Sequence, residues 1–169
     1  MNFLAAVARL LGGILLMCTV GCSAIPNVKE PTTMNNDQIS IRSTLDALNL
    51  ACANRDIGGF MELFSDTDDI LFVGSDKGEV YLGRKATADF MQMLFGLPFV
   101  FSFDLNNVTL RQDGNSAWIF SDGNMIHTGD KGKAQGKVST KPYRFSVTLL
   151  KHDGKWKWQL FHGSVPGAE

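Results

Sequence analysis

The side chains best suited to chemistry lie near the C-terminus of this 169-residue chain. Arg144 and His162 sit on two largely apolar runs, Tyr143–Leu150 and Trp156–His162. An Arg can hold a carboxylate through two parallel hydrogen bonds. A His donates, accepts or passes a proton near neutral pH. Sharing a pocket, the pair would bind an anion beside a general base; otherwise they would tie a hairpin to its neighbours. Asp104 and Asp122 are further candidates, because both fall on expected strands where burial would raise a carboxylate pKa. Their plainer reading is outward-facing polar residues near loop ends.

The elements that must position these groups are the two C-terminal strands. Phe145, Val147 and Leu149 alternate with Arg144, Ser146 and Thr148, and Trp156, Trp158 and Leu160 alternate with Lys157, Gln159 and Phe161, a period of two. Asp153-Gly154 between the runs is a strong hairpin signal, because both residues tolerate positive φ. A two-residue turn sets His162 opposite Phe145 and sends Arg144 to the other face. A three-residue His152-Asp153-Gly154 turn with a bulge brings both onto one face.

The start of the chain has a different character. One charge, Arg9, precedes an apolar run from Leu10 to Val20, too short for a comfortable membrane span and suited to an export signal. Residues 1–21 are therefore expected to be a leader, 22–36 a tether with two prolines, and 37–166 one domain. Without the leader, 15 Lys and Arg stand against 17 Asp and Glu, a balance with no general attraction for nucleic acid. Cys18 goes with the leader and, with Cys22 acylated, Cys52 would be the single free cysteine, so no intrachain disulfide is expected.

Within the domain, Ile41, Leu45, Leu48 and Cys52 form an apolar stripe predicting a helix over Asp37–Asn54, capped by Asn36 or Asp37. Asp56 is expected to cap a short helix through Phe64. A third helix, Arg84–Leu94, would bury Ala86, Phe90 and Met93 or Leu94. Strands are expected at Ile70–Val73, Glu79–Leu82, Phe99–Leu110 and Ala117–Asn124, ahead of the hairpin. The Gly- and Lys-rich stretch Thr128–Thr140 reads as a solvated loop. Helices ahead of a meander imply an α+β fold, with three N-terminal helices on a strongly curved, mostly antiparallel sheet of about six strands.

Three motifs carry a resemblance: Asn54-Arg55-Asp56, Asp69–Gly74 with Glu79 and Gly83, and Arg144…Asp153-Gly154-Lys155-Trp156…His162–Pro166. Over residues 37–166 their order and spacing resemble the NTF2-like superfamily, in its SnoaL-like, DUF4440-type branch. The resemblance implies a cone with a pocket between helices and sheet, and dimerisation through the sheet. Because the family carries Arg144 and His162 as signature positions, the bulged register is expected, with Trp118, Trp158 and Phe101 among the ligand-binding residues. The other aromatic residues belong mostly to the core. In ketosteroid isomerase, a superfamily member, an Asp base works with a Tyr and a protonated Asp; the first helix here has no Tyr to take that role. The expected function is binding of a small apolar or carboxylate-bearing ligand. The alternatives are an isomerase- or hydratase-type enzyme with His162 as base and Arg144 as anion clamp, and a non-catalytic dimeric scaffold.

Three other signals fail. Asp66–Asp69 begins like a calcium loop, but Ile70 and Leu71 occupy positions that need an oxygen ligand and a glycine. His127, His152 and His162 lack metal-ligand spacing. Gly129–Lys137 lacks phosphate-loop spacing. No metal or cofactor is expected. Finally, Thr19-Val20-Gly21-Cys22 resembles the lipobox of bacterial lipoproteins, although Thr19 departs from the usual aliphatic residue. This implies a lipid-anchored protein facing the periplasm or cell exterior; the alternatives, an uncleaved helical anchor or soluble secretion after a nearby cleavage, also place the domain outside the cytoplasm. A Cys22→Ser precursor should lose labelling by a fatty-acid probe; unchanged labelling would refute the anchor.

Overall fold

The computed structural model describes residues 34–167; the leader, Cys22 and most of the tether lie outside these described residues. Helix α1 spans Asn36–Asn54 and buries the expected stripe, Ile41, Leu45, Leu48 and Cys52. Its cap is Asn35, not Asn36 or Asp37. Asn35 Oδ1 accepts from the Gln38 N–H at 2.8 Å, and Gln38 Oε1 accepts from the Asn35 N–H at 3.0 Å, a reciprocal capping box. Asp37 is free to face the sheet, where it accepts from Lys151 Nζ at 2.6 Å and Trp156 Nε1 at 3.2 Å. These two bonds, Lys151 foremost, hold its carboxyl below the usual range.

Helix α2, Ile57–Met61, is capped by Asp56 as expected but ends before Phe64. Helix α3, Arg84–Phe95, buries Thr87, Phe90, Met91 and Phe95, leaving Met93 exposed. The buried face is therefore rotated from the expected one. Thr87 donates its hydroxyl to Gly83 O at 2.9 Å, which satisfies the only polar atom of its side chain and lets the rest pack as an apolar group.

Seven strands form one sheet: β1 (Leu71–Val73), β2 (Val80–Leu82), β3 (Phe99–Phe103), β4 (Val108–Asp113), β5 (Ser116–Gly129), β6 (Val138–His152) and β7 (Lys155–Ser164). Their order is β2-β1-β7-β6-β5-β3, with β4 also on β5; β1 and β7 are parallel and the other pairs antiparallel. The single strand expected over Phe99–Leu110 is two strands laid end to end against β5. Between them the chain turns at Asp104, and a Cβ on Gly123 would lie 2.9 Å from Asp104 O. Glycine there admits the corner, which supports the curl of the sheet.

The C-terminal hairpin turns on Asp153 and Gly154 alone, with φ of 46° and 77°. The expected three-residue turn is absent. The bulge lies further along, where Thr148 pairs with Leu160 but Leu149 pairs with Trp158, leaving Gln159 unmatched. Here β7 also takes on the Leu63–Ser65 segment: the Trp158 N–H donates to Leu63 O at 2.7 Å, and the Ser65 N–H to Trp158 O at 3.0 Å.

Helix α1 runs along the open edge of β3. Asn49 imitates a neighbouring strand, donating to Phe103 O at 2.9 Å and accepting from the Phe103 N–H at 2.8 Å. Arg42 donates to Leu105 O. At the helix end Arg55, in the left-handed conformation with φ of 54°, donates to the carbonyls of Phe95, Leu97 and Phe99 and forms a two-pronged pair with Asp130. One guanidinium thus joins α1, the α3–β3 connection and the end of β5.

Arg55 offers a test of opposite signs. Arg55→Gly relieves about 1 kcal/mol of left-handed backbone strain but removes charge-assisted bonds worth more. The variant should be less stable by about 2 kcal/mol in urea unfolding. A more stable variant would show that the backbone, not the side chain, decides this position.

Candidate functional site

Between α1, α3 and the inner face of the sheet lies a cavity of about 210 Å³. Leu48 and Cys52 of α1, Phe90 and Met91 of α3, Phe99, Phe101 and Phe103 of β3, and Phe161 of β7 make its apolar wall. Burial pushes the Cys52 thiol up to about 12, so it stays protonated and inert at neutral pH. Polar groups come from His127 on β5, Tyr143 on β6, and Ser75, Asp76 and Glu79 in the β1–β2 loop. Among the described residues lining the cavity there is no Lys or Arg.

Two glycines shape the polar groups. A Cβ on Gly163 would fall 1.8 Å from the Tyr143 hydroxyl oxygen; glycine alone lets that ring lie across β7. A Cβ on Gly74 would fall 2.1 Å from Glu79 Oε2. With only a hydrogen there, the Glu79 side chain folds inward and accepts from the Asp76 N–H at 3.0 Å. Burial, with Glu79 adding to it, pushes the Tyr143 phenol well above its ordinary value, while Ser75 works weakly against the rise.

His127 stands edge-on to Phe99, with ring centroids 4.8 Å apart. Its Nδ1 is buried and has no hydrogen-bond partner. Burial, reinforced by the charge of Lys141, holds its pKa below 6.5. At neutral pH the ring is therefore uncharged, with one nitrogen able to accept. A protonated, hydrogen-bonding phenol and a neutral imidazole thus share one largely apolar space.

The residues expected from sequence fall elsewhere, with one exception. Phe101 lines the cavity. Trp158 is fully buried and donates its indole N–H to Thr44 Oγ1 at 2.9 Å, joining β7 to α1. Trp118 is 47% exposed on the outer face. Arg144 and His162 do share a face, since Arg144 pairs with Ser164 and Ser146 with His162. That face is the outer one, and both residues are exposed. Arg144 donates to Asp122 Oδ1 at 2.8 Å instead of clamping a ligand. Asp104 Oδ1 accepts from the Asn106 N–H at the chain corner. Neither Asp104 nor Asp122 lines the cavity.

His127 and Tyr143 escaped the sequence reading for definable reasons. The expected strand ended at Asn124, whereas β5 continues to Gly129. The inward phase set by Ala117, Ile119 and Ser121 runs on through Met125 to His127. Tyr143 shares the inward phase of Phe145 and Val147, so the periodicity already contained it.

Comparison with known proteins agrees with this architecture. No curated protein matches the chain. Among solved structures, an NTF2-like protein of unknown function from Pseudomonas putida KT2440 is 20% identical, with a TM-score of 0.64 over 80% of this chain and 92% of that one. A candidate dehydratase of the NTF2-like family from Streptomyces avermitilis is 16% identical, with a TM-score of 0.68 over 78% and 98%. A ketosteroid isomerase-like protein from Erwinia carotovora atroseptica SCRI1043 is 20% identical, with a TM-score of 0.59 over 80% and 100%. At these identities the likeness concerns the fold. The family model for the SnoaL-like domain matches residues 41–168, a span holding all seven strands and every residue of the cavity. The chain therefore belongs to the SnoaL-like domain family and has the NTF2-like fold.

Proposed function

We propose that this protein binds a small, mainly apolar molecule in the cavity between helices and sheet. The observation that carries the reading is the cavity itself, mainly apolar and with His127, Tyr143 and the β1–β2 loop as its polar groups. An apolar body would fill the void, and a ligand N–H or O–H would pair with these groups. The volume fits as well: an apolar cavity of about 150 Å³ holds benzene, so about 210 Å³ suits a molecule of one or two rings. A carboxylate-bearing ligand loses its support, because Arg144 is committed to Asp122 on the outer face. The catalytic alternative built on His162 and Arg144 loses its support for the same reason: neither lines the cavity.

Two further parts of this proposal rest on other surfaces. Export and lipid anchoring rest on the Cys22 context in the sequence. Self-association through the sheet is supported by Trp118 and Phe120, exposed two residues apart on the outer face of β5. A second copy would cover them, since one patch can serve both subunits. Sedimentation should give a dimer at micromolar concentration; a monomer would remove this part.

The cavity reading is tested with naphthylmethanol as a neutral probe and thermal unfolding of the full-length protein as readout. The probe should raise Tm. Met125→Trp, which fills the space from a half-buried position, should abolish the rise. Binding should be strongest at neutral pH and above, where the imidazole of His127 is uncharged, and weaken as pH falls through its lowered pKa, because the imidazolium cannot accept. His127→Phe should weaken the probe about tenfold and remove this pH dependence. A Tm rise that survives Met125→Trp would refute the site.

A further inference from the structure

The polar end of the cavity is unevenly equipped. It offers acceptors: one nitrogen of the neutral His127 ring, and the carboxylates of Asp76 and Glu79. Tyr143 and Ser75, the remaining polar side chains, carry hydroxyls that accept as readily as they donate. Cationic donors are missing among the described lining residues, and the one fixed side-chain N–H is that of the neutral His127 ring. The nearest cations do not change this. Lys77 is exposed within the loop and does not line the cavity. Lys141, also exposed, is felt by His127 but does not line the space. Arg144 is held on the far face of the sheet by Asp122.

Electrostatics and wall chemistry point the same way. The negative charges of Glu79 and Asp76 reach the buried phenol of Tyr143 and reinforce the rise that burial causes, and no cationic side chain among the described lining residues offsets them. Glu79 keeps one carboxylate oxygen for a ligand, because its bond to the Asp76 N–H uses Oε2. The remaining wall is rich in phenylalanine faces, including Phe99, Phe101 and Phe103 of β3. Such rings suit an apolar body and exclude an anion, which would be desolvated there without a partner.

Resting on the reading that the cavity binds a ligand, we propose that its occupant is a hydrophobic organic cation, a protonated amine on an aromatic or aliphatic body. The ammonium lies at the Ser75–Glu79 end, donating to Glu79. The apolar body lies between α1, α3 and the β3 phenylalanines. An ammonium is donor-only and therefore complements a site that is chiefly acceptors. Neutral ligands with a single donor fill the same space less tightly.

Three probes of nearly equal shape separate this inference from the reading beneath it: naphthylmethylamine, naphthylmethanol and naphthoate, titrated calorimetrically into the full-length protein. The amine should bind about tenfold tighter than the alcohol, and the carboxylate weakest of all. High salt should narrow the gap between amine and alcohol, because Asp76 is exposed at the rim. Glu79→Gln combined with Asp76→Asn keeps acceptors in the loop and removes both charges; it should bring the amine to the level of the alcohol. Binding of the alcohol with no preference for the amine, or a preference that survives the double variant, would overturn the cation assignment and leave the cavity reading standing. Failure of all three probes would overturn both.

Discussion

The structure depends on helix α1 being held to the open edge of β3. The edge of a sheet presents unpaired backbone groups, and these must be satisfied or covered. Asn49 meets Phe103 with both halves of its amide, as a neighbouring strand would. Arg42 and Arg55 take the carbonyls on either side. The three residues set the separation of helix and sheet by hydrogen bonding instead of by apolar collapse. That distinction explains how a cavity survives. A void of about 210 Å³ forfeits packing contacts worth on the order of several kcal/mol, so helix and sheet would close upon it if nothing fixed their spacing. Along the same helix Ile41, Leu45 and Cys52 pack with no exposure. The helix is thus seated by its apolar stripe and spaced by its hydrogen bonds.

Seen this way, the three sequence signatures have different jobs from those their most reactive residues suggest. In Asn54-Arg55-Asp56, Arg55 clasps three backbone segments and Asp56 caps α2. In the stretch around Gly74 and Glu79, the glycine makes room for an inward carboxylate. In His162-Gly163, it is the glycine that reaches the cavity, by letting the Tyr143 ring cross β7. Arg144 and His162, the most reactive of these residues, stand outside. A recurring residue in such a small fold reports a steric or backbone need as often as a chemical one.

The same contrast measures how much was legible in the sequence. The α1 stripe, the Asp56 cap, the Asp153-Gly154 turn and the grouping of helices before a meander follow from local periodicity and turn chemistry, and these are present in the structure. Periodicity also says which residues share a face, and Arg144 and His162 do. It cannot say which face is inside when both carry large apolar groups, and here Trp118 and Phe120 face out while Ile119 and Phe145 face in. Nor does it locate an irregularity that depends on a distant partner. Gln159 is left unmatched where β7 also takes on Leu63–Ser65, a contact about 95 residues away in sequence. Tertiary contact decided the site, while local pattern decided the elements.

What the cavity can discriminate follows from where its polar groups lie. An apolar wall distinguishes ligands weakly, since an added methylene changes binding by about 1–3 kcal/mol. A buried polar group that must be paired distinguishes them far more strongly, because the wrong ligand leaves it unsatisfied. Here the Tyr143 ring, lying over Gly163, and the β1–β2 loop make one polar end, and His127 stands four residues along the ladder from the partner of Tyr143. The phenylalanines fill the rest. For the ligand proposed above, such a division would fix the orientation, polar head toward the loop and body toward α1, before any specific contact is counted. It would also separate two tasks in the chain: β3 and the helices would set how large a ligand is accepted, and the polar end which head group it carries.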